Sequence, residues 1–322
     1  MYQLIAIFIA FLFIPVLIKL KFKLSYALLI STVILGILSG IPFATLMQNV
    51  SSIVTNPASL NTVLTVMMVA VLGGVMKHYG IINVIIETMS LLIKDKRKIL
   101  AITPALMGVL IMPGGALLSA PFVYELGNEM GLKPSRSAVV NLVFRHLAMF
   151  IFPYSTSLLV ISAIMPGLNI FKLILFDLTF VFAIITLGYI CFLKDIKVTK
   201  LQSVTNVKQN LLRLVIYTSP IYVCIIINLI TRLPFYITLL GSILMVYILS
   251  DKKGFLHVVV GSFNKNTLIT ILTVATILIL KEIVLHMDGL FGILQSVIIV
   301  SRDSILTTML FFLVSSFVLG FI

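Results

Sequence analysis

Apolar runs of about 20 residues recur along the whole chain, separated by short polar stretches. A helix needs about 20 apolar residues to cross the hydrocarbon core of a bilayer. By this criterion the candidate spans lie near residues 2–18, 24–43, 63–82, 99–114, 137–165, 170–193, 211–231, 235–250, 267–285 and 304–322. Because lipid offers no partner to free backbone groups, segments that span it must be helical. The pattern predicts an all-α, polytopic membrane protein of about 10 hydrophobic helical segments.

Composition agrees with a protein embedded in the lipid bilayer. Of 322 residues, 61% are hydrophobic and only 10% are charged, whereas soluble domains carry about 25% charged residues. The net charge of +13 sits in short loops between apolar segments, without interleaved aromatic residues, so we expect no nucleic-acid partner. Cys191 and Cys224 have neither metal-ligand spacing nor a disulfide framework, and no metal site is predicted.

The distribution of lysine and arginine predicts the orientation, because basic loops stay in the cytoplasm. We place the loop at residues 19–23 inside. The other basic loops then fall on the same side, at residues 94–98, 133–136, 194–213 and 252–265. Lys172, Arg232 and Arg302 fall outside. This predicts a multi-pass protein of the inner (cytoplasmic) cell membrane, with a retained first helix and its N-terminus outside.

That orientation requires residues 115–136 not to cross the membrane. The segment that starts at Ile99 enters from the cytoplasm and must be back there by Lys133. Its return leg, 116–130, covers about 22 Å as a helix, less than the roughly 30 Å of hydrocarbon. We therefore predict a re-entrant helical hairpin with its tip near mid-membrane. The mixed segments 83–93 and 254–264 are typical of helices in the headgroup region.

The predicted hairpin tip carries the sharpest motif, MPGGALLSAP at residues 112–121. A proline followed by two glycines breaks a helix and lets backbone approach a ligand closely. The return leg then presents free N–H groups that suit an anion. Gly114, Gly115 and Ser119 are therefore candidate substrate-binding residues. The alternative is a kink that serves packing alone.

A self-match predicts two inverted repeats. NTVLT at residues 61–65 resembles NTLIT at 266–270, and the match continues in register for several residues. The charge distribution gives these two segments opposite directions, as in inverted-repeat transporters; a chance match in a chain rich in Leu, Ile and Val is the alternative. In this alignment Gly320 falls on Gly114. The chain would then stop where a second hairpin turns, so we expect an incomplete second repeat and a truncated chain.

Asn141, Arg145 and His146 form a polar group within the span at 137–165. Asn141 and Arg145 share a helix face, and a charge at this depth needs protein or a water-filled cavity around it. Arg145 could bind a carboxylate in bidentate fashion, pair with Glu125 or Glu129, or extend to the interface. His146 could relay protons or simply be hydrogen-bonded.

The same span is interrupted by PYSTS at residues 153–157. Broken helices of this kind bind Na⁺ or substrate in transporters. Ser155 and Thr156 are therefore candidate substrate ligands and Ser157 a candidate ion ligand, unless the hydroxyls merely bond back to the helix. Asp177, the acid of the span at 170–193, is a further ion-coupling candidate or half of an interfacial pair.

Sequences typical of enzymes are missing. The chain has no G-x-x-x-x-G-K-[ST], H-E-x-x-H or G-x-S-x-G sequence and no acidic metal cluster, so we expect neither an ATP-driven motor nor an enzyme, and no cofactor.

At residues 113–121, 141–146 and Pro153 the sequence resembles domain-of-unknown-function family 401, integral membrane proteins of the ion transporter superfamily. The resemblance implies two inverted repeats, each with a re-entrant hairpin and a broken helix, and a homodimer. It also implies transport of organic anions, arsenite, or Na⁺ against H⁺, without supplying a substrate.

These observations predict a secondary transporter driven by H⁺ or Na⁺ that moves a small organic anion by alternating access. A cation/proton antiporter using Asp177, and a membrane scaffold or assembly protein without transport activity, are the alternatives. The predicted organisation is N-terminal spans with an outer loop (1–62), a first repeat (63–193), a basic cytoplasmic loop (194–210), and linking spans with a truncated second repeat (211–322).

Overall fold

The computed structural model describes residues 2–93, 95–109, 115–165, 167–196 and 206–287, together with residues 306, 307, 309, 310 and 313. Within these ranges all regular structure is helical, without a β-strand, and this confirms the predicted all-α class. Apolar helices of this length are those of a membrane-embedded protein.

Five helices are long and apolar enough to cross a membrane. They are α1 (Tyr2–Lys19), α4 (Pro57–His78), α11 (Ile170–Phe192), α12 (Val207–Thr231) and α15 (Lys265–Leu285). The other helices are α2 (Leu24–Leu38), α3 (Phe43–Thr55), α5 (Ile81–Leu92), α6 (Lys96–Val109), α7 (Gly115–Glu129), α8 (Pro134–Arg145), α9 (Leu147–Ile151), α10 (Thr156–Ile164), α13 (Phe235–Leu249) and α14 (Phe255–Gly261). The stretch α8–α9 together with α10 forms a sixth candidate span, bent by 43°.

Several helices differ in length from the predicted spans. The span expected at 24–43 ends at Leu38, because Gly40 adopts a left-handed φ of 71° and Pro42 cannot continue a helix. A further helix, α3, begins at Phe43; its Gln, Asn, Ser and Thr residues hid it from a search for long apolar runs. The segment expected at 304–322 lies mostly outside the described residues.

The chain forms two compact units, residues 1–60 with 271–322 and residues 61–270. The first contains α1–α3, with a core that includes Leu35, Ile283 and Met287. The second contains α5–α14 and most of α4. In this second unit α5, which covers most of the predicted headgroup segment 83–93, packs against α12 and buries most of one face.

Candidate functional site

Helices α6 and α7 are the two helices on either side of the predicted hairpin tip. They pack side by side, and Lys96 Nζ at the start of α6 lies 2.8 Å from Glu129 Oε2 at the end of α7. The two legs therefore run antiparallel. With 14 and 15 residues each leg is about 21 Å long, less than a bilayer core. The tip residues Pro113 and Gly114 lie outside the described residues, and Gly115 opens α7.

Charged residues gather at the open end of this hairpin. Arg97 binds the Asp95 carboxylate in bidentate fashion, with the shortest distance at 2.9 Å, and this contact lowers the pKa of Asp95. Arg97 also lies over the ring of Tyr189 near the end of α11. Arg136, at the start of α8, donates from Nε to the Phe192 carbonyl at 3.0 Å. The loops near 95, 133 and 194 therefore meet at one end of the unit, as the charge distribution predicts.

Helix α8 runs from this charged end toward the hairpin tip, alongside α6. Near the tip, Gly108 of α6 lies so close to Arg145 of α8 that a methyl group on Gly108 would overlap the Arg145 carbonyl oxygen. Arg145 is roughly 16 Å along α8 from its first residue. The structure thus places Arg145 beside Gly108, one residue before the end of α6 at Val109.

Helices α6 and α8 carry four buried polar atoms that have no hydrogen-bond partner among the described residues. They are Thr103 Oγ1, Ser137 Oγ, Asn141 Oδ1 and Arg145 Nη1. Ser137, Asn141 and Arg145 are spaced four apart and share one face of α8. Buried polar groups in proteins nearly always have a partner. The face therefore has the donors and acceptors of a binding site for a polar ligand.

The ion pairs of the described residues leave Arg145 without an acid. Glu129 belongs to the charged end and is taken by Lys96, so it is not the partner that the sequence allowed for Arg145. Glu125 forms no ion pair with it in this part of the chain either. One guanidinium nitrogen, Nη1, is buried. The Arg145 side chain is therefore only partly exposed, and no acid among the described residues neutralises its charge.

The predicted break lies between α9 and α10, at residues 152–155. Ser155 donates from Oγ to the Met149 carbonyl at 2.9 Å and accepts from the Leu158 N–H at 3.5 Å, so it caps α10. Its hydroxyl therefore bonds back to the helix, which is the alternative to a role as substrate ligand. Tyr154 is fully buried and donates to the Ile221 carbonyl of α12 at 2.9 Å, which ties the break to a neighbouring helix.

The other polar candidates near the break differ in surroundings. Thr156 is half-buried at the first position of α10, and Ser157 is exposed. His146 is exposed, with Nδ1 2.6 Å from the Leu142 carbonyl of its own helix, which accounts for it without a relay. Ser119 is fully buried in α7. Of the predicted residues, Asn141 and Arg145 are placed together beside the hairpin, and Ser155 and Thr156 lie further along the same broken span.

Asp177 lies on α11, which runs antiparallel to α8. Arg136 contacts Phe192, and Gly188 lies against Phe144. Asp177 is about 16 Å from Gly188 along α11, and the helix break is a similar distance from Phe144 along its own span. This register places the half-buried Asp177 at the height of the break. Among the described residues it forms no ion pair.

Sequence reasoning missed four residues that shape the site: Thr103, Gly108, Ser137 and Tyr154. Ser137 was detectable, since it precedes Asn141 and Arg145 by the same spacing of four. Gly108 and Thr103 were not, because one glycine or threonine in an apolar helix is common and only the packing of α6 on α8 gives it meaning.

The family described as "Protein of unknown function (DUF401)" matches residues 3–322 of the chain. No curated protein matches it, and no solved structure matches it.

Proposed function

The chain belongs to the DUF401 family, and we propose that it is a secondary active transporter that moves a small organic anion by alternating access. An H⁺ or Na⁺ gradient drives the transport in this proposal. The substrate binds where the hairpin of α6 and α7 meets α8 and the helix break. The family description supplies no activity, so the proposal rests on the site.

The observation that carries the proposal is Arg145, whose Nη1 is buried without a partner. Leaving a charge in low-dielectric surroundings without a counter-charge costs several kcal/mol, and cations inside membrane proteins are usually paired or functional. A carboxylate substrate would satisfy the guanidinium in bidentate geometry. Asn141, one turn away on the same face, would complete the polar contacts through its amide.

The interrupted helices support transport rather than a passive scaffold. A span bent by 43° interrupts the regular helical hydrogen bonding, and membrane proteins tolerate such interruptions where protein or a cavity surrounds them. Transporters place substrates at such interruptions.

The order of helices also favours a duplicated architecture. A long helix, a 15-residue helix, a short helix and a second long helix occur as α1–α4 and again as α12–α15. The sequence match of 61–65 with 266–270 falls near the start of the last helix in both sets. We keep the inverted orientation of the two halves as part of the proposal.

Uptake into proteoliposomes tests the substrate class. The full chain is reconstituted and supplied with labelled mono-, di- and tricarboxylates under imposed H⁺ or Na⁺ gradients. We expect gradient-dependent accumulation of one of these anions, abolished by Arg145→Ala and by Gly114→Leu. If both variants accumulate the anion as well as wild type does, the substrate does not bind at this site. If the wild-type protein shows no uptake and both variants still support its function in cells, the protein is a scaffold.

Asp177 favours a second candidate, a cation/proton antiporter. It is a half-buried acid that forms no ion pair among the described residues, on a helix that is mostly apolar and mostly exposed. Na⁺/H⁺ exchange in the same proteoliposomes, abolished by Asp177→Asn and retained in Arg145→Ala, would identify this activity. If the anion is coupled to a cation instead, both variants abolish uptake.

The homodimer implied by the family resemblance is also part of the proposal. Light scattering on the purified protein in detergent, corrected for the bound detergent, measures the mass of the protein alone and distinguishes one chain from two.

A further inference from the structure

A polar cavity lies apart from the hairpin, lined by the second half of α4, by α14 and by the start of α15. Tyr79, just after α4, donates to the Lys253 carbonyl at 3.3 Å, and its ring stacks on Phe255 of α14 with centroids 5.7 Å apart. These contacts hold the segment of residues 250–264, which includes α14, against the end of α4. Between them opens a cavity of about 530 Å³.

The cavity is basic. Its lining includes Lys77 and His78 from α4, His257 from α14, and Asn264 and Asn266 before and within the start of α15. Its described lining has no Asp or Glu, and Asp251 of the same loop does not contribute to it. Lys77 forms none of the ion pairs seen among the described residues. The chain thus offers a cation and two imidazoles with no acid to neutralise them.

The start of α15 is not the source of this character. Asn264 Oδ1 already accepts from the Asn266 N–H at 2.9 Å and from the Thr267 N–H at 3.2 Å. Two of the first N–H donors of the helix are therefore occupied by its own cap. An anion in the cavity would be bound by side chains.

An apolar groove of about 580 Å³ adjoins the cavity and shares His257 with it. Leu240 and Leu244 of α13 and Leu256 of α14 line the groove, and each is more than half exposed. Lys252 also lines it, with Nζ over the ring of Tyr247. The groove is thus apolar along α13 and basic where it meets the cavity.

Aromatic side chains lie beside both spaces: Tyr247 and Phe255 line the groove, and His78 lines the cavity. Tyr247 meets Phe255 edge-on at 5.0 Å, and His78 meets Tyr79 edge-on at 5.0 Å. Tyrosines with an apolar ring and a polar end concentrate at the level of lipid headgroups. A basic cavity that adjoins an apolar groove with aromatic residues in its lining matches the headgroup and acyl parts of one lipid.

We propose that this surface is a binding site for an anionic phospholipid. The phosphate of the headgroup binds Lys77, His78 and His257, and an acyl chain lies along Leu240 and Leu244. Charge complementarity selects an anionic over a zwitterionic lipid, since each basic residue near an anionic headgroup contributes about 1 kcal/mol. The site is separate from the proposed transport activity and does not depend on it.

Native mass spectrometry of the purified full chain tests the site, with dioleoyl-phosphatidylglycerol and dioleoyl-phosphatidylcholine as probes. We expect wild-type protein to retain more of the anionic lipid. The double variant Lys77→Gln/His257→Gln should retain at least about fivefold less, the change that corresponds to about 1 kcal/mol. Lys172→Gln, an exposed lysine at the start of α11, is the matched control and should retain as much as wild type.

Two further measurements complete the test. Leu244→Asn should lower retention of phosphatidylglycerol, because it places a polar group where an acyl chain lies. Glycerol phosphate, which has the anionic headgroup alone, should not compete with the lipid. Equal retention of the two lipids, an equal loss in Lys172→Gln, or no loss in Leu244→Asn contradicts the proposal. Effective competition by glycerol phosphate would overturn it in favour of a pocket for a soluble anion. Unchanged thermal unfolding of these exposed-site variants shows that their folding is intact.

Discussion

At the scale of single residues, the hydrogen-bond partners of a polar side chain help to distinguish a structural from a functional role, and Arg145 is the main example. Ser155 has hydrogen-bond partners at its cap and Tyr154 has one at Ile221, so both contribute to the fold. Arg145 keeps a buried nitrogen without a partner. In our proposal the fold bears that cost because Arg145 binds the substrate.

Arg145→Lys tests this role, because lysine keeps the charge but lacks the planar fork that matches a carboxylate. We expect the KM for anion uptake to rise about tenfold, which corresponds to about 1.4 kcal/mol. Arg145→Gln should abolish uptake while leaving the melting temperature in detergent unchanged or higher, since a buried unpaired charge is removed. Arg213→Lys, exposed near the start of α12, is the control. A large fall in melting temperature for Arg145→Gln would assign the residue to structure.

Ser155 belongs to the opposite class. Ser155→Ala removes the cap of α10 and the bond to the Met149 carbonyl, and we expect a loss of about 1 kcal/mol in the free energy of unfolding. Ser157→Ala, at an exposed position of the same helix, should change it by less than about 0.5 kcal/mol. Thermal unfolding of both variants in one detergent measures the difference. If Ser157→Ala is the more destabilising of the two, the assignment of the cap is wrong.

At the scale of helices, the site depends on how closely α6 approaches α8. Because Gly108 has no side chain, the Arg145 carbonyl can lie against the backbone of α6. This close approach places the end of the hairpin beside the polar face of α8. The same face continues to Ser137, which lies against Gly127 of α7, so both legs of the hairpin pack on α8 through glycine.

Gly108→Ala should separate α6 from α8, because the new methyl group meets backbone rather than a side chain that can move. We expect a loss of roughly 1–3 kcal/mol in stability, together with loss of uptake. Gly261→Ala is the matched control, since a methyl group at that helical position has nothing within 4 Å. Thermal unfolding and uptake are measured on both variants. A Gly108→Ala protein with wild-type stability and uptake would show that the helices are not in close contact.

At the scale of the whole molecule, the charged loops order the second unit. The Lys96–Glu129 pair and the Arg136–Phe192 contact bring three sequence-distant loops to one end. The sequence assigns these loops to the cytoplasm because they are basic. The structure establishes independently that they share an end, while the side of the membrane on which that end lies is still a prediction.

Cysteine labelling in sealed vesicles tests that side. Single cysteines replace Lys96, Lys133, Lys194 or Lys172 in a background that carries Cys191→Ala and Cys224→Ala. In right-side-out vesicles a membrane-impermeant maleimide should label position 172 and leave the other three unlabelled until the membrane is permeabilised. Labelling of position 96, 133 or 194 from outside in intact vesicles would contradict the predicted topology. Labelling of all four positions before permeabilisation would show only that the vesicles leak.

The sequence by itself determined the class of the protein and the interruptions of its helices. Apolar runs require helices in lipid, and the short leg after Gly115, with basic residues at its end, requires a hairpin. Pro153 removes a backbone donor and is followed by hydroxyl-bearing residues at 154–157, and this combination favours a break. These are local or one-dimensional constraints, and the structure follows them, while the end of α2 and the polar helix α3 escaped a search by apolar length.

Only the tertiary structure decided which polar residues remain unpaired. Ser155 and Arg145 are both polar residues in one predicted span, yet one bonds back to its helix and the other has a buried nitrogen without a partner. The basic cavity also depends on the tertiary structure, because two of its lining residues, Lys77 and His257, are far apart in the chain. Pairing depends on side chains brought from distant segments, and no local pattern of residues contains that information.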